Sequence, residues 1–197
     1  MDNRLERLNQ LTTFYLVRHA HAHWRPDDSQ PLSPQGQVDA QRVADILQAY
    51  PIALIYASPY RRARETVEPL AARLGLTIHT LPALRERRLA AGKVDDFAGA
   101  VEATWRDPAF AHPGGETNTA AQARGVSAIL ELLEKHLEGH IVLATHGNLL
   151  ALSLKHFDPS IDFAFWQALT MPDIFSLALH HDGKHTVQRL WSEGGAS

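Results

Sequence analysis

Two short apolar runs in this chain end in the same way, each on a histidine, and that pairing limits the fold more than any other feature. Phe14-Tyr15-Leu16-Val17 leads into Arg18-His19, and Ile141-Val142-Leu143-Ala144 leads into Thr145-His146-Gly147. Runs without polar alternation read as strands covered on both faces, the pattern of a parallel sheet, although a buried helix segment has the same pattern at this length. In open α/β sheets, ligands bind beyond the carboxyl ends of such strands. Both imidazoles are therefore expected at the edge of the sheet where chemistry takes place.

The segments between the runs read as helices. Ser33-Pro34 has the form of an N-cap followed by proline in the first turn, and Val43, Ile46, Leu47 and Tyr50 then recur at helical spacing until Pro51. Ile52 to Ala57 is a second buried run that ends in Ser58-Pro59, and an arginine-rich helix starts near Arg61, passes Pro69 with an expected kink and stops at Gly75. Thr77 to Leu81 fits a third, shorter strand. From Pro82 to Thr117 periodicity fades, so this stretch is expected to leave the sheet as a lid or small helical insert. Thr119 and Gln122 have capping-box spacing ahead of the stripe Val126, Ile129, Leu130, Leu133 and Leu137. Ile174 to Leu179 and Thr186 to Trp191 flank Asp182-Gly183 as a closing hairpin. Strand and helix alternate, which makes the fold class α/β.

At 197 residues the chain suffices for one substantial core, or one core carrying a small subdomain. With a net charge of -3 it has no basic excess, which disfavours a broad nucleic-acid surface or an anionic-membrane patch. The absence of cysteine excludes disulfides and thiolate chemistry. Met1 to Thr13 includes Arg4, Glu6 and Arg7 and no long apolar stretch, so neither a signal peptide nor a membrane anchor is expected, and the cytoplasm is the default location. The oligomeric state is open, a homo-oligomer included.

Arg18-His19 is the sharpest local signal, because arginine's planar fork of donors matches phosphate oxygens and an adjacent neutral imidazole can attack. Around it, Leu32-Ser33-Pro34-Gln35-Gly36, Ser58-Pro59-Tyr60-Arg61-Arg62-Ala63-Arg64-Glu65-Thr66, Leu84-Arg85-Glu86, Pro113-Gly114-Gly115-Glu116-Thr117 and Thr145-His146-Gly147 follow in order. Together with Leu16-Val17-Arg18-His19, this series resembles the ordered motifs of the histidine phosphatase superfamily, the phosphoglycerate mutase-like proteins. The resemblance implies a three-layer α/β/α sandwich with a mostly parallel central sheet, one domain over residues 1–197 and a small lid insertion at about 85–117. It also implies that His19 is the nucleophile, that Glu86 is the proton donor, and that Arg18, Arg62 and His146 hold the phosphoryl oxygens, with Gly147 beside them. Such a site acts on a small phosphorylated substrate and needs no metal and no cofactor. Positioned cations and a covalent phosphohistidine supply the catalysis, and an acid protonates the departing alkoxide.

The match breaks in informative places. After Arg18-His19 the chain reads Ala20-His21-Ala22-His23-Trp24-Arg25, where many family members have Gly, a small hydroxyl residue and then Asn, so Arg25 is a candidate cationic contact to phosphate. Glu86 is followed by Arg87-Arg88-Leu89-Ala90-Ala91-Gly92 rather than the usual Gly-x-x-Glu-Gly, and Asn148 stands where a second glycine is common. Arg85, Arg87, Arg88 and Lys93 fit a small, multiply anionic substrate as well as they fit a solvated basic loop. Hydrolysis is favoured over mutase-type transfer, since the chain is short for the insert and tail that retain a phosphoenzyme. Two other classes compete. His19-x-His21-x-His23 puts three imidazoles on one strand face, as in metal hydrolases, whose barrels usually need ~250 residues. A fold that only binds phosphorylated ligands is the non-enzymatic alternative, opposed by the intact set of Arg18, His19, Arg62 and His146.

Overall fold

The computed structural model describes residues 10–25 and 29–192, so residues 1–9, residues 26–28 of the polar loop and residues 193–197 lie outside the described residues. Six strands form one sheet: β1 (Leu11–Arg18), β2 (Ile52–Ala57), β3 (Ile78–Thr80), β4 (Gly139–Thr145), β5 (Asp173–His180) and β6 (His185–Arg189), in the order β3-β2-β4-β1-β5-β6. The pairs β3/β2, β2/β4 and β4/β1 are parallel, whereas β1/β5 and β5/β6 are antiparallel. This is the α/β architecture that the strand and helix alternation predicts, and the closing hairpin is β5 and β6.

The apolar runs lack alternation because both faces of the sheet are covered. Phe14 and Leu16 of β1, with Ile141 and Leu143 of β4, pack against helices α4 (Asn118–Lys135) and α5 (Gly147–Phe157) through Ile129, Leu133, Leu150 and Leu154. The intervening Tyr15, Val17, Val142 and Ala144 face the other way, onto α1 (Pro34–Leu47) and α2 (Arg61–Leu74) through Val43, Leu47, Val67 and Leu70. Successive side chains of a strand point to opposite faces, so an uninterrupted apolar run is what a two-sided core requires.

Local signals hold with some shifts. Ser33 caps α1, its hydroxyl accepting from Gly36 N–H; the helix ends at Leu47, and the Tyr50 ring sits outside it, 4.9 Å from that of Tyr15. α2 runs through Pro69 to Gly75. The cap of α4 is Thr117 rather than Thr119, because Thr117 Oγ accepts from Ala120 N–H while the Gln122 amide is spent on the Leu152 carbonyl. On that helix Leu132 is buried and Leu130 is exposed, the reverse of what the stripe suggests. Between β3 and α4, a single 3-10 turn (Pro82–Leu84) and helix α3 (Phe97–Arg106) occupy the aperiodic stretch. A short α6 (Phe163–Gln167) precedes β5. No helix among the described residues is long and apolar enough to cross a membrane.

α1 approaches the loop beyond β1 at Gly36, where a Cβ would run into the carbonyl oxygen of His21, and a backbone atom cannot swing aside. Gly36→Ala is therefore expected to destabilise the protein by about 1–3 kcal/mol in urea denaturation, in the range for an overpacked site. Gly92→Ala, where no atom lies within 4 Å of the added carbon, serves as the reference and is expected to change stability by less than about 0.5 kcal/mol.

Candidate active site

Strands β1 and β4 are parallel neighbours in a register that sets Arg18 opposite Thr145, so the two chains leave the sheet together. His19 N–H donates to the Thr145 carbonyl at 3.1 Å, and the rings of His19 and His146 meet edge to face with centroids 5.2 Å apart. The two histidines that are 127 positions apart in sequence thus share one site.

The hydrogen bonds assign the tautomer of His19. Its Nδ1 lies 2.8 Å from the Ala20 carbonyl, an acceptor only, so Nδ1 carries the proton and Nε2 keeps its lone pair. Arg62 Nε–H donates to that Nε2 at 3.1 Å. Of the clustered arginines at the start of α2, only Arg62 makes this contact: Arg61 pairs with Glu65 and Arg64 reaches Thr80. Thr66, fully buried, joins the two parts, its hydroxyl accepting from Ala20 N–H at 2.9 Å and donating to the Arg62 carbonyl at 2.7 Å. Burial and the Arg62 charge push the His19 pKa down to about 3 against the opposing bond to Ala20, with Arg18 and His21 adding to the depression.

His146 is completely buried, and its Nε2 lies 2.8 Å from Ser58 Oγ. Ser58 Oγ accepts from Tyr60 N–H and, among the described residues, has no acceptor for its own proton other than His146 Nε2, an arrangement that puts the ring proton on Nδ1. His146 Nδ1 is buried with no partner among the described residues, a donor ready for an oxyanion. Burial first, then the charges of His19, Arg62, Arg18 and Arg124, hold its pKa well below the ordinary histidine value. Tyr60 brackets the group, its ring 5.0 Å from that of His146 and 4.9 Å beneath the Arg62 guanidinium.

Arg18 is braced from behind, its Nη1 donating to the Leu169 carbonyl at 2.8 Å and to that of Thr170 at 3.2 Å, while its buried Nε has no partner among the described residues. Burial lowers its pKa, countered by the negative charges of Glu86 and Asp173. Gly147 fits against this guanidinium; a Cβ there would stand 3.1 Å from Arg18 Nε. Glu86 sits at the N-terminus of α5, where its carboxylate accepts from the N–H groups of Asn148 and Leu149, both at 3.1 Å, and from its neighbour Arg87 at 2.8 Å. Thr145 Oγ1 donates to the Leu84 carbonyl at 2.8 Å, which ties the Glu86 loop to the end of β4.

The remaining candidates fall elsewhere. Arg25 is exposed, its carbonyl taken by the Gln30 amide, and none of the described contacts brings it to the histidines. His21 turns its Nδ1 to Ser33 Oγ and His23 is exposed, so the alternating histidines do not converge; no group of three or more His, Cys, Asp or Glu suited to a metal occurs among the described residues. Glu116 is forked to Arg124 at 2.9 and 2.8 Å, and Arg124 also reaches the carbonyls of Ala83 and Arg85. Burial raises the Glu116 pKa, but Arg124 and Arg85 outweigh it and the net shift is downward. The sequence reading gave no role to Ser58, Tyr60, Thr66 or Arg124. Ser58 and Thr66 stand within its motifs, yet only the folded chain shows what their hydroxyls join.

The chain resembles known proteins in sequence and in fold. The chain is 27% identical over 195 residues to phosphoglycerate mutase-like protein 4 of Arabidopsis thaliana, covering 90% of this chain and 84% of that one. It is 30% identical over 153 residues to glucosyl-3-phosphoglycerate phosphatase of Mycobacterium tuberculosis, covering 70% and 68%. Among solved structures, the mycobacterial glucosyl-3-phosphoglycerate phosphatase in complex with inorganic phosphate superimposes with a TM-score of 0.73 at 25% identity, over 90% of this chain and 94% of that one. Bacillus stearothermophilus YhfR gives 0.77 at 26% identity, over 94% and 98%. Residues 14–194 match the model of the histidine phosphatase superfamily, branch 1, and the chain belongs to that family.

Proposed function

We propose that this chain is a metal-independent phosphomonoesterase that hydrolyses a small phosphorylated substrate through a phosphohistidine on His19. The observation that carries the reading is the state of that ring: one nitrogen spent on a backbone carbonyl, the other bearing a lone pair beside Arg62 and the His146 ring. A relative named glucosyl-3-phosphoglycerate phosphatase supports hydrolysis as the reaction type.

In the first step His19 Nε2 attacks phosphorus, the ester P–O bond breaks, and Glu86, in the form of the enzyme in which its carboxyl is protonated, gives that proton to the departing alkoxide. Arg18, Arg62 and His146 Nδ1–H hold the equatorial oxygens, where negative charge accumulates in the transition state. In the second step water attacks phosphorus, its proton passes to Glu86, and the P–N bond breaks to release inorganic phosphate and restore His19. An imidazolium has no lone pair, so burial and Arg62 serve the chemistry by keeping His19 neutral.

Four outcomes test this. Rapid quench with 32P-labelled 4-nitrophenyl phosphate is expected to trap label that survives alkali and is lost in acid, and His19→Ala is expected to abolish the label and lower kcat at least about 10^3-fold. An unlabelled wild-type protein overturns the covalent route. With its pKa at about 3, His19 is neutral across the range where a free histidine titrates, so kcat is expected to fall by no more than about threefold from pH 7 to pH 5. Arg62→Ala removes a cation that depresses this pKa; its expected signature is an acid limb displaced to higher pH together with a roughly 10^2-fold or larger loss in kcat/KM. Full activity after dialysis against EDTA is the fourth expectation, and loss of turnover that zinc restores would return the metal-hydrolase alternative.

A further inference from the structure

Helix α3 lies in the aperiodic stretch between β3 and α4, outside the sheet, and reaches the site through one side chain. Two polar contacts fasten the helix to the chain that follows it: Asn118 Nδ2 donates to the Thr104 carbonyl at 2.9 Å, and His112 Nε2 lies 3.0 Å from the Ala100 carbonyl. A third contact crosses to α5, where Trp105 Nε1–H donates to Asn148 Oδ1 at 3.1 Å. An indole N–H can only donate, which settles the orientation of the Asn148 amide. The half-buried Trp105 ring packs in one apolar cluster with Ala121, Leu149 and Leu152.

Asn148 and Leu149 are also the residues whose backbone N–H groups hold the Glu86 carboxylate, Asn148 on Oε2 and Leu149 on Oε1. Trp105 therefore grips by their side chains the same two residues that grip Glu86 by their amides. Amides in the first turn of a helix have no acceptor within it, so the direction in which they point depends on how the turn itself is held. A glycine at position 148 would leave the Trp105 N–H without this acceptor, and a buried indole N–H requires one. Asn148 and Trp105 thus form a matched pair, one from the end of β4 and one from the insert.

We infer that Trp105 is a positioning residue for the proton donor: it holds the first turn of α5 from outside and so fixes where Glu86 meets the departing oxygen. The inference rests on the phosphatase reading, which makes Glu86 the acid. The contacts of Trp105 run to Asn148, Leu149 and Leu152 rather than to the groups that hold the phosphoryl oxygens, so its effect falls on the proton transfer. The need for that proton grows with the basicity of the leaving group: 4-nitrophenolate departs without it, whereas an alkoxide does not.

The test is kcat/KM for 4-nitrophenyl phosphate and for benzyl phosphate, aromatic esters with an aryloxide and an alkoxide leaving group. This constant reports formation of the phosphohistidine and excludes its hydrolysis. Trp105→Phe keeps a ring on Leu149 and Leu152 and removes the N–H. It is expected to lower kcat/KM about tenfold for benzyl phosphate and less than about twofold for 4-nitrophenyl phosphate. Asn148→Ala, which keeps the backbone amide, is expected to show the same split between the esters. The double variant is expected to show no wider one, because both changes break a single link. In Glu86→Gln the split is expected to be wider and in the same direction. Equal losses with both esters in Trp105→Phe mark a residue that only supports the fold and overturn the proposal, and so does a double variant in which the two splits multiply. If Trp105→Phe fails to fold, Asn148→Ala decides by the same comparison. A split in Glu86→Gln but in neither of the other variants overturns the role of Trp105 alone, whereas a wild-type protein that hydrolyses neither ester removes the phosphatase reading and this role with it.

Discussion

The parallel ladder between β1 and β4 is the constraint on which the rest of the site depends. Because Arg18 and Thr145 are register partners, two strands separated by most of the chain end at the same height, and the residues that follow them have no choice but to meet. Phe14, Tyr15, Leu16 and Val17 secure that register with side chains sunk alternately into two opposed cores, so a slip would drag a full apolar set out of each. The antiparallel β5 on the other flank of β1 adds a second purpose: the loop before it supplies the carbonyls of Leu169 and Thr170 that brace Arg18.

Most of this frame was legible from residue order, for a physical reason. Unalternating apolar runs and helical stripes report burial directly, and the Arg18-His19 and Thr145-His146-Gly147 endings mark where strands stop. What escaped depended on contacts between distant segments. Nothing local distinguishes the buried Arg87 from the exposed Arg85 and Arg88, since which of the three is covered is decided by how the loop lies on α5 and the Gly114 turn. Thr117 takes the cap that the spacing gave to Thr119, its hydroxyl accepting from Ala120 N–H, while the Thr119 hydroxyl donates to the Pro108 carbonyl and the Gln122 amide to that of Leu152. Arg25 looked like a phosphate contact by position in a motif, yet in the fold it lies on an exposed loop. Ser58 and Thr66 bear hydroxyls whose partners, His146 and Ala20, are fixed only by folding.

Electrostatically the site is built from like charges. Arg18 and Arg62 stand beside two imidazoles, with Arg124 within electrostatic reach of His146, and the assembly is tolerable because both rings are neutral and because Arg124 is matched by Glu116. Glu86 and Asp173 offset Arg18 from two directions, and Asp173 is itself fully buried and forked by Arg189 at 2.9 and 2.6 Å. Beside the phosphoryl-holding groups, the unpartnered donors Arg18 Nε and His146 Nδ1 mark where the protein has left negative charge to be supplied from outside.

The Thr66 hydroxyl has a mechanical consequence. By holding the amide that follows the attacking ring and the carbonyl of the arginine beside it, one oxygen atom makes two segments from different layers of the fold into a single rigid body. Flexing of the sheet or sliding of α2 then carries attacker and clamp along together, and the distance between them is insulated from the motions of the surrounding scaffold.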